Sequence, residues 1–233
     1  MRINQTIHQQ DSLSFLVQTI ISEEETIIRE LELEKILSKV TLTPNGLKKF
    51  AESFYFIRYD FCRLNFIVGE RCCHNEFLWS GIAKNLIEEL GGKKGVSHNQ
   101  LYRDFLRCVG ITSEKELKEP DFATQFNQSW ETFCRTSSVA EALSAIAIYE
   151  IFDKPDYKLL LNIMKNAGIP KQGLHFFQVH SVAEHFEMFE DIISWLMIQD
   201  GGEKAFITSK NFVFQTQKKM WLDLLESLTN KLS

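Results

Sequence analysis

The sequence has few residues that break helices and no long apolar run. Glycine (11 residues) and proline (4) are scarce among 233 residues, whereas phenylalanine occurs 19 times. Few breakers and many long apolar side chains favour an all-helical, all-α fold. Because no run of about 18 apolar residues is present, a membrane-spanning helix is not expected.

Charge and cysteine content exclude further classes. The net charge is −5 and no block is rich in lysine or arginine, so neither nucleic acid nor a membrane surface is an expected partner. The five cysteines are odd in number and lack the spacing of a zinc site, which indicates reduced thiols. The first residues, MRINQTIHQQDS, lack the apolar core of a signal peptide. We therefore expect a cytoplasmic protein.

Periodic apolar residues and capping signals predict a succession of helices. Thr43-Pro44 is typical of a helix start, and an apolar stripe from Leu47 to Leu64 predicts a helix to about Val68. Lys154-Pro155 is predicted to end a helix, because the residue before proline avoids the helical region. The remaining helices are expected at residues 79–90, 98–109, 113–116, 122–135, 139–152, 156–166, 171–199 and 203–232.

Short connections between these helices predict a single domain, residues 1–233, without linkers. The first 40 residues are more charged and are expected to form an outer helical layer. Residues 42–200 are expected to form the core bundle. Residues 203–233 are predicted to be a C-terminal helix, or two helices separated near Ser209 to Asn211.

The stretch FFQVHSVAEHFE, residues 176–187, is the most informative pattern in the chain. It places His180, Glu184 and Glu187 at positions i, i+4 and i+7, which share one face of a continuous helix. Imidazole and carboxylate groups that converge inward are how helical bundles hold first-row metals. The alternative is a solvated acidic face that carries one histidine.

Three further segments carry candidate ligands. Glu150 lies within the apolar stretch SAIAIYEIF, where an uncompensated carboxylate is strongly unfavourable. Instead of binding a metal, Glu150 could be buried and hydrogen-bonded to a tyrosine or an arginine, or it could lie at an exposed helix end. In NLIEELGG either Glu88 or Glu89 can face inward, but not both. His98 begins the next helix, where helix capping is the alternative role.

The order and spacing of these segments resemble the haem-oxygenase-like helical proteins. These include thiaminase II, pyrroloquinoline-quinone synthase and the chlamydial protein that associates with death domains. The resemblance extends from about Leu42 to Leu196. Within this group, the sequence is most similar to the branch that contains the chlamydial protein and the haem-oxygenase-like diiron oxidases. It implies a bundle of seven to eight main helices. The resemblance rests on LTPNGLKKFAESFYFIRYDF, NLIEELGG followed by His98-x-x-Leu101, AIYEIFDKPDY and GLHFFQVHSVAEHFE.

Carried over to this chain, the ligand pattern of that branch implies six metal ligands. Glu89, His98 and Glu150 would hold one side of a dinuclear site, and His180, Glu184 and Glu187 would hold the other. Glu184 stands where aspartate is usual and Glu187 where histidine is usual. Such a mixture of histidines and carboxylates suits iron or manganese better than soft metals. The six implied ligands are Glu89, His98, Glu150, His180, Glu184 and Glu187.

The resemblance implies a non-haem diiron, or iron–manganese, oxidase or oxygenase that uses dioxygen and a small organic substrate, and it suggests a homodimer. Thiaminase activity is not expected, because SSVAEALSAIAIYE lacks the nucleophilic cysteine and Cys134 lies earlier. Glu187 in place of histidine leaves a metal-free or cofactorless protein, like the quinone synthase relative, as an alternative. An interaction protein that uses its acidic N-terminal helix is another. The many phenylalanines are expected to form core rather than a substrate pocket.

Overall fold

The structure, a computed structural model, describes residues 2–59, 61–92, 95–182 and 185–229, and their side chains except those of residues 2–12, 59, 153 and 185. Within these ranges the chain is helical and contains no β-strand, so the predicted all-α class is confirmed. None of the described helices is both long and apolar enough to cross a membrane. The α-helices are α1 (Arg2–Glu30), α2 (Leu33–Thr41), α3 (Pro44–Tyr59), α4 (Phe61–Cys72), α5 (Glu76–Glu89), α6 (His98–Cys108), α7 (Asp121–Thr136), α8 (Val139–Asn166), α9 (Lys171–Val182), α10 (Glu190–Met197) and α11 (Gly202–Thr229).

Helix α8 lies at the centre of the bundle. It packs against α1, α2, α4, α7, α9, α10 and α11, and every residue from 142 to 152 is buried. A helix covered on all sides needs apolar residues around its whole circumference, which explains the uninterrupted apolar stretch in the sequence. Glu150 is therefore inserted into the core and does not lie at an exposed helix end.

The apolar stripe that begins after Thr43-Pro44 lines the core as predicted. Thr43 Oγ1 accepts a hydrogen bond from the Gly46 amide at 3.1 Å, which caps the first turn of α3. Phe50 and Phe54 of α3 are buried, and so is Leu64 of α4. The predicted helix to Val68 spans α3 and α4, and the residue between them lies outside the described ranges.

The predicted helix end at Lys154-Pro155 is wrong, because α8 continues through Pro155 to Asn166. A proline inside a helix removes one backbone hydrogen bond and costs about 3 kcal/mol. The burial of large side chains before and after Pro155 offsets that cost, since Phe152, Tyr157 and Leu160 are almost completely inaccessible to solvent. Tertiary packing thus overrides the local signal.

The predicted single helix over residues 171–199 is also wrong. Helix α9 ends at Val182, residues 185–188 form a 3-10 turn, and α10 begins at Glu190. The turn brings the Met188 carbonyl against Gly81 of α5, where an added Cβ would lie only 2.8 Å from it. It also places Phe189 in the core. His180 and Glu187 therefore do not share one face of a continuous helix, and Glu184 lies outside the described residues.

The two ends of the chain also pack on α8. Helix α11 is continuous, so of the two alternatives the single C-terminal helix is confirmed and the separation near Ser209 to Asn211 is not found. Ser209 is buried there, and its hydroxyl is satisfied. Its Oγ lies 2.8 Å from the carbonyl oxygens of Ala205 and, on α8, Glu141, both of which are hydrogen-bond acceptors. Helix α1 buries Ile20 and α2 buries Leu37.

Three helices meet at a buried pair of carboxyl groups, Glu24 of α1 and Asp156 of α8. Gln217 of α11 donates from Nε2 to Asp156 Oδ2 at 2.6 Å. No donor in the described part of the chain reaches either oxygen of Glu24. Burial, reinforced by the charge of Asp156, raises the pKa of Glu24 to about 11, and burial raises the pKa of Asp156 to about 6. Glu24 therefore keeps a proton that it can donate to Asp156.

We expect Glu24→Gln to weaken the pH dependence of stability. The unfolded chain releases the Glu24 proton above about pH 4.5, whereas the folded chain keeps it toward pH 11. The free energy of unfolding of the natural protein should therefore fall as pH rises through this interval, by at most about 1.4 kcal/mol per pH unit. Glutamine stays neutral and can still donate to Asp156, so the variant should lose this slope.

Urea unfolding at about pH 5, 7 and 9 measures the slope. The exposed neighbour Glu25 offers a matched control, since Glu25→Gln should retain the slope of the natural protein. An unchanged slope in Glu24→Gln would show that the buried pair does not hold this proton.

Candidate metal centre

Glu89, His98 and His180 come together in the core. Glu89 is the last residue of α5, His98 is the first of α6, and His180 lies in the last turn of α9. Each offers a ligand atom within 4.8 Å of those of the other two, and all three side chains are buried. Within the described ranges this is the one group of three or more His, Cys, Asp or Glu residues that is close enough to hold a metal ion.

The loop between α5 and α6 brings Glu89 and His98 together. Gly91 and Gly92 have φ angles of 95° and 57°, which glycine adopts without strain and which turn the chain at the end of α5. Ser97 then caps α6 by accepting a hydrogen bond from the Gln100 amide at 3.2 Å. Because Ser97 supplies the cap, His98 is not needed for that role.

The same segment distinguishes the two adjacent glutamates. Glu89 is buried and Glu88 is exposed. Glu89 Oε1 lies 2.9 Å from His98 Nδ1, and the Cys62 thiol lies 4.0 Å from Glu89 Oε2. Burial and then the charge of Glu89 raise the pKa of Cys62 to about 12, so this thiol stays protonated and can donate to the carboxylate.

Hydrogen bonds define the tautomers of both histidines. His180 Nδ1 lies 2.8 Å from the Phe176 carbonyl, which can only accept, so Nδ1 carries the proton. His98 Nδ1 donates to the Glu89 carboxylate by the same reasoning. Nδ1 of each ring is thus anchored by an acceptor, which leaves Nε2 as the atom that can bind a metal.

Aromatic side chains enclose the group. Tyr157 stacks on His180 with ring centroids 4.5 Å apart, and Phe176 packs against the same ring at 4.4 Å. A cavity of about 10 Å³ remains between the triad, Arg58 and Tyr102. Such a volume holds about one water molecule or one ion.

Arg58 is the cation beside this cavity. Its Nη1 donates to the Tyr149 hydroxyl at 2.7 Å, and its guanidinium lies over the rings of Tyr149 and Tyr157 at 5.2 and 5.1 Å. These contacts hold the guanidinium in place. Its charge partly offsets that of the buried Glu89 carboxylate.

Glu150 accepts a hydrogen bond from a buried asparagine. Asn85 Nδ2 donates to Glu150 Oε1 at 2.6 Å, and Asn65 Oδ1 lies 3.4 Å from the same nitrogen. All three side chains are buried. Glu150 also borders a wider cavity, of about 250 Å³, between α1 and α8.

The structure thus divides the six predicted ligands differently from the sequence prediction. His180 lies with Glu89 and His98, and the described residue Glu187 does not belong to this group. Glu187 lies in the 3-10 turn, is exposed, and borders the wider cavity. Glu184 lies outside the described residues.

Four residues at the site were not predicted from the sequence: Arg58, Cys62, Asn85 and Tyr157. Only Asn85 carried a usable signal, because it lies four residues before Glu89 on the same face of α5. The other three are brought to the site from α3, α4 and the part of α8 beyond Pro155.

Residues 48–197 match the sequence profile of a family described as iron-containing redox enzymes. The chain belongs to this family. The predicted haem-oxygenase-like relationship is confirmed by this match and by structural neighbours. No curated protein matches the chain significantly in sequence.

Two crystal structures of a CADD-like protein of unknown function from Nostoc punctiforme PCC 73102 share the fold. The structure at 2.00 Å has a TM-score of 0.66 and 16% identity, over 88% of this chain and 98% of that chain. The structure at 1.35 Å has a TM-score of 0.67 and 15% identity, over 91% and 98%. Identities this low show the common fold alone.

Iron fits the residues that this member of the iron-containing redox enzyme family brings together. Two histidines and one carboxylate with open positions are the ligand set of many non-haem iron(II) oxygenases. Both imidazoles are oriented by a hydrogen bond at Nδ1, and the space between them holds about one ion. Glu89, His98 and His180 would hold the iron, with Glu89 either bound directly or orienting His98.

We expect His180→Phe to lower the affinity for iron(II) by at least about tenfold. Phenylalanine keeps a ring against Tyr157 but has no nitrogen donor. Anaerobic titration with iron(II) against a chromogenic chelator measures the affinity, and thermal unfolding checks the fold. His175 is exposed on the same helix, so His175→Phe should bind iron like the natural chain. Equal iron affinity in both variants would remove His180 from the site.

Proposed function

We propose that the protein is a non-haem iron oxidase or oxygenase that uses dioxygen to oxidise a small organic substrate. The observation that carries the proposal is the buried group of Glu89, His98 and His180 in a member of an iron-containing redox enzyme family. Iron bound there supplies the redox chemistry that reduces dioxygen.

The surrounding residues prepare the site for this chemistry. His98 and His180 are oriented through hydrogen bonds at Nδ1, and Glu89 supplies negative charge. Tyr157 and Phe176 cover the imidazole of His180 and limit the access of water to it. A dry, preorganised site keeps reactive species away from solvent and from competing reactions.

A second metal position next to the first is supported by Glu150. Glu89 and Glu150 both act electrostatically on the Cys62 thiol, so the two carboxylates lie in the same region of the core. A buried carboxylate is stabilised by a bound cation. We propose a diiron centre, or an iron–manganese centre, in which Glu150 and Glu184 serve the second ion. Glu187 is left out of this set because it is exposed and borders the wider cavity.

A metal-free protein on the same fold is the second candidate. Arg58 favours the metal-free protein, because the positive charge of a guanidinium that borders the small cavity opposes the entry of a metal ion. The exposed position of Glu187 favours it too, since this residue stands where the resemblance implies a histidine ligand. The suggested homodimer remains a prediction.

Iron content distinguishes these candidates. The full chain, loaded anaerobically with iron(II) and freed of excess metal, should contain two iron ions per chain and should consume dioxygen on exposure to air. Glu150→Gln keeps the size and the hydrogen bond from Asn85 but weakens the second position, so it should contain one. Elemental analysis measures both proteins.

The exposed residue Glu119 provides the control, since Glu119→Gln should bind as much iron as the natural chain. One iron ion in both the natural chain and Glu150→Gln would support a mononuclear centre. No iron in the natural chain would favour the metal-free protein.

A further inference from the structure

The wider cavity between α1 and α8 has the features of a ligand pocket. It encloses about 250 Å³ and is bordered by α1, by α8 and by the 3-10 turn at residues 185–188. Pockets for drug-sized ligands measure about 300–1,000 Å³, so this one suits a smaller molecule. Glu150 lies in its wall, so a ligand bound here would lie next to the candidate metal centre.

One wall of the cavity is apolar. Leu13, Val17 and Ile21 of α1 follow one another in steps of four and therefore form one stripe along that helix. Ile151 of α8 and Phe186 of the turn also border the cavity. These side chains offer a hydrocarbon surface to an aliphatic chain but no charge or strong hydrogen-bond donor.

The remaining wall is charged, with an excess of carboxylates. Glu187 and Glu190 are exposed residues that border the cavity, and Lys154 is the one cation among its described lining residues. Even if Lys154 compensates one of these two carboxylates, one negative charge remains. A bound metal would compensate only the buried Glu150. A ligand with a positive charge is therefore complementary to this wall, and a carboxylate ligand is not.

We propose that this cavity binds a small aliphatic amine. Its hydrocarbon chain lies against the stripe on α1, and its ammonium group lies at Glu187 and Glu190. The assignment as a substrate rests on the proposed function, whereas the binding itself does not. Glu187 then recognises the substrate and is not a metal ligand, which accounts for its exposed position in the turn.

Calorimetric titration of the full chain, with no added metal, tests the binding with hexylamine and hexanoate as probes of equal chain length. Hexylamine should bind at least about tenfold more tightly than hexanoate. Glu187→Gln and Glu190→Gln should each weaken hexylamine binding several-fold, and Val17→Trp should abolish it by filling the apolar side. The control Glu119→Gln should bind hexylamine like the natural chain.

Circular dichroism and thermal unfolding show whether each variant is folded. No binding of hexylamine, equal binding of hexanoate, or unchanged binding in both glutamine variants would each overturn the inference. Iron content is measured separately. Amine binding without iron uptake would contradict the proposed function alone, and iron uptake without amine binding would contradict this inference alone.

Discussion

Charge compensation inside a helix that is covered on all sides is the constraint on which the rest of this structure depends. Helix α8 is surrounded by seven other helices, yet it carries Glu150 and Asp156 in the core. A carboxylate without a partner would destabilise such a core by several kcal/mol. Each of these carboxyl groups is therefore met by a polar side chain from a neighbouring helix.

The compensation differs between these two carboxyl groups, which lie six residues apart in the middle of α8. Asp156 faces a protonated Glu24 and the amide of Gln217, so hydrogen bonds and a shared proton are sufficient. Glu150 receives a hydrogen bond from Asn85 and lies beside a group that contains Glu89 and two histidines. The negative charge of this group is suited to a cation. One helix thus contributes Asp156 to a structural carboxyl pair and Glu150 to the surroundings of the candidate metal centre.

Two cavities of different character adjoin this centre. The smaller is enclosed by aromatic rings and is lined by the three grouped ligands and Arg58. The wider has an apolar side and a charged side and is bordered by α1 and by the turn after α9. Glu150 borders the wider one, so the central helix links the place where a metal would lie to the place where a substrate would enter. This division suits an oxidase, in which redox chemistry and substrate recognition are carried out by different residues.

The sequence by itself determined the helical class, most helix starts, the family relationship and the candidates Glu89, His98 and His180. These follow from local rules: apolar periodicity, caps such as Ser97 and glycines such as Gly91 act over a few residues. The tertiary structure alone decided that α8 passes through Pro155, that residues 185–188 form a 3-10 turn in place of the predicted helix, and that Glu187 lies apart from His180. In each case the free energy of burying side chains such as Tyr157 and Phe189 against distant helices outweighs the local preference of the backbone. Such contacts join residues far apart in sequence and cannot be inferred from spacing along a single helix.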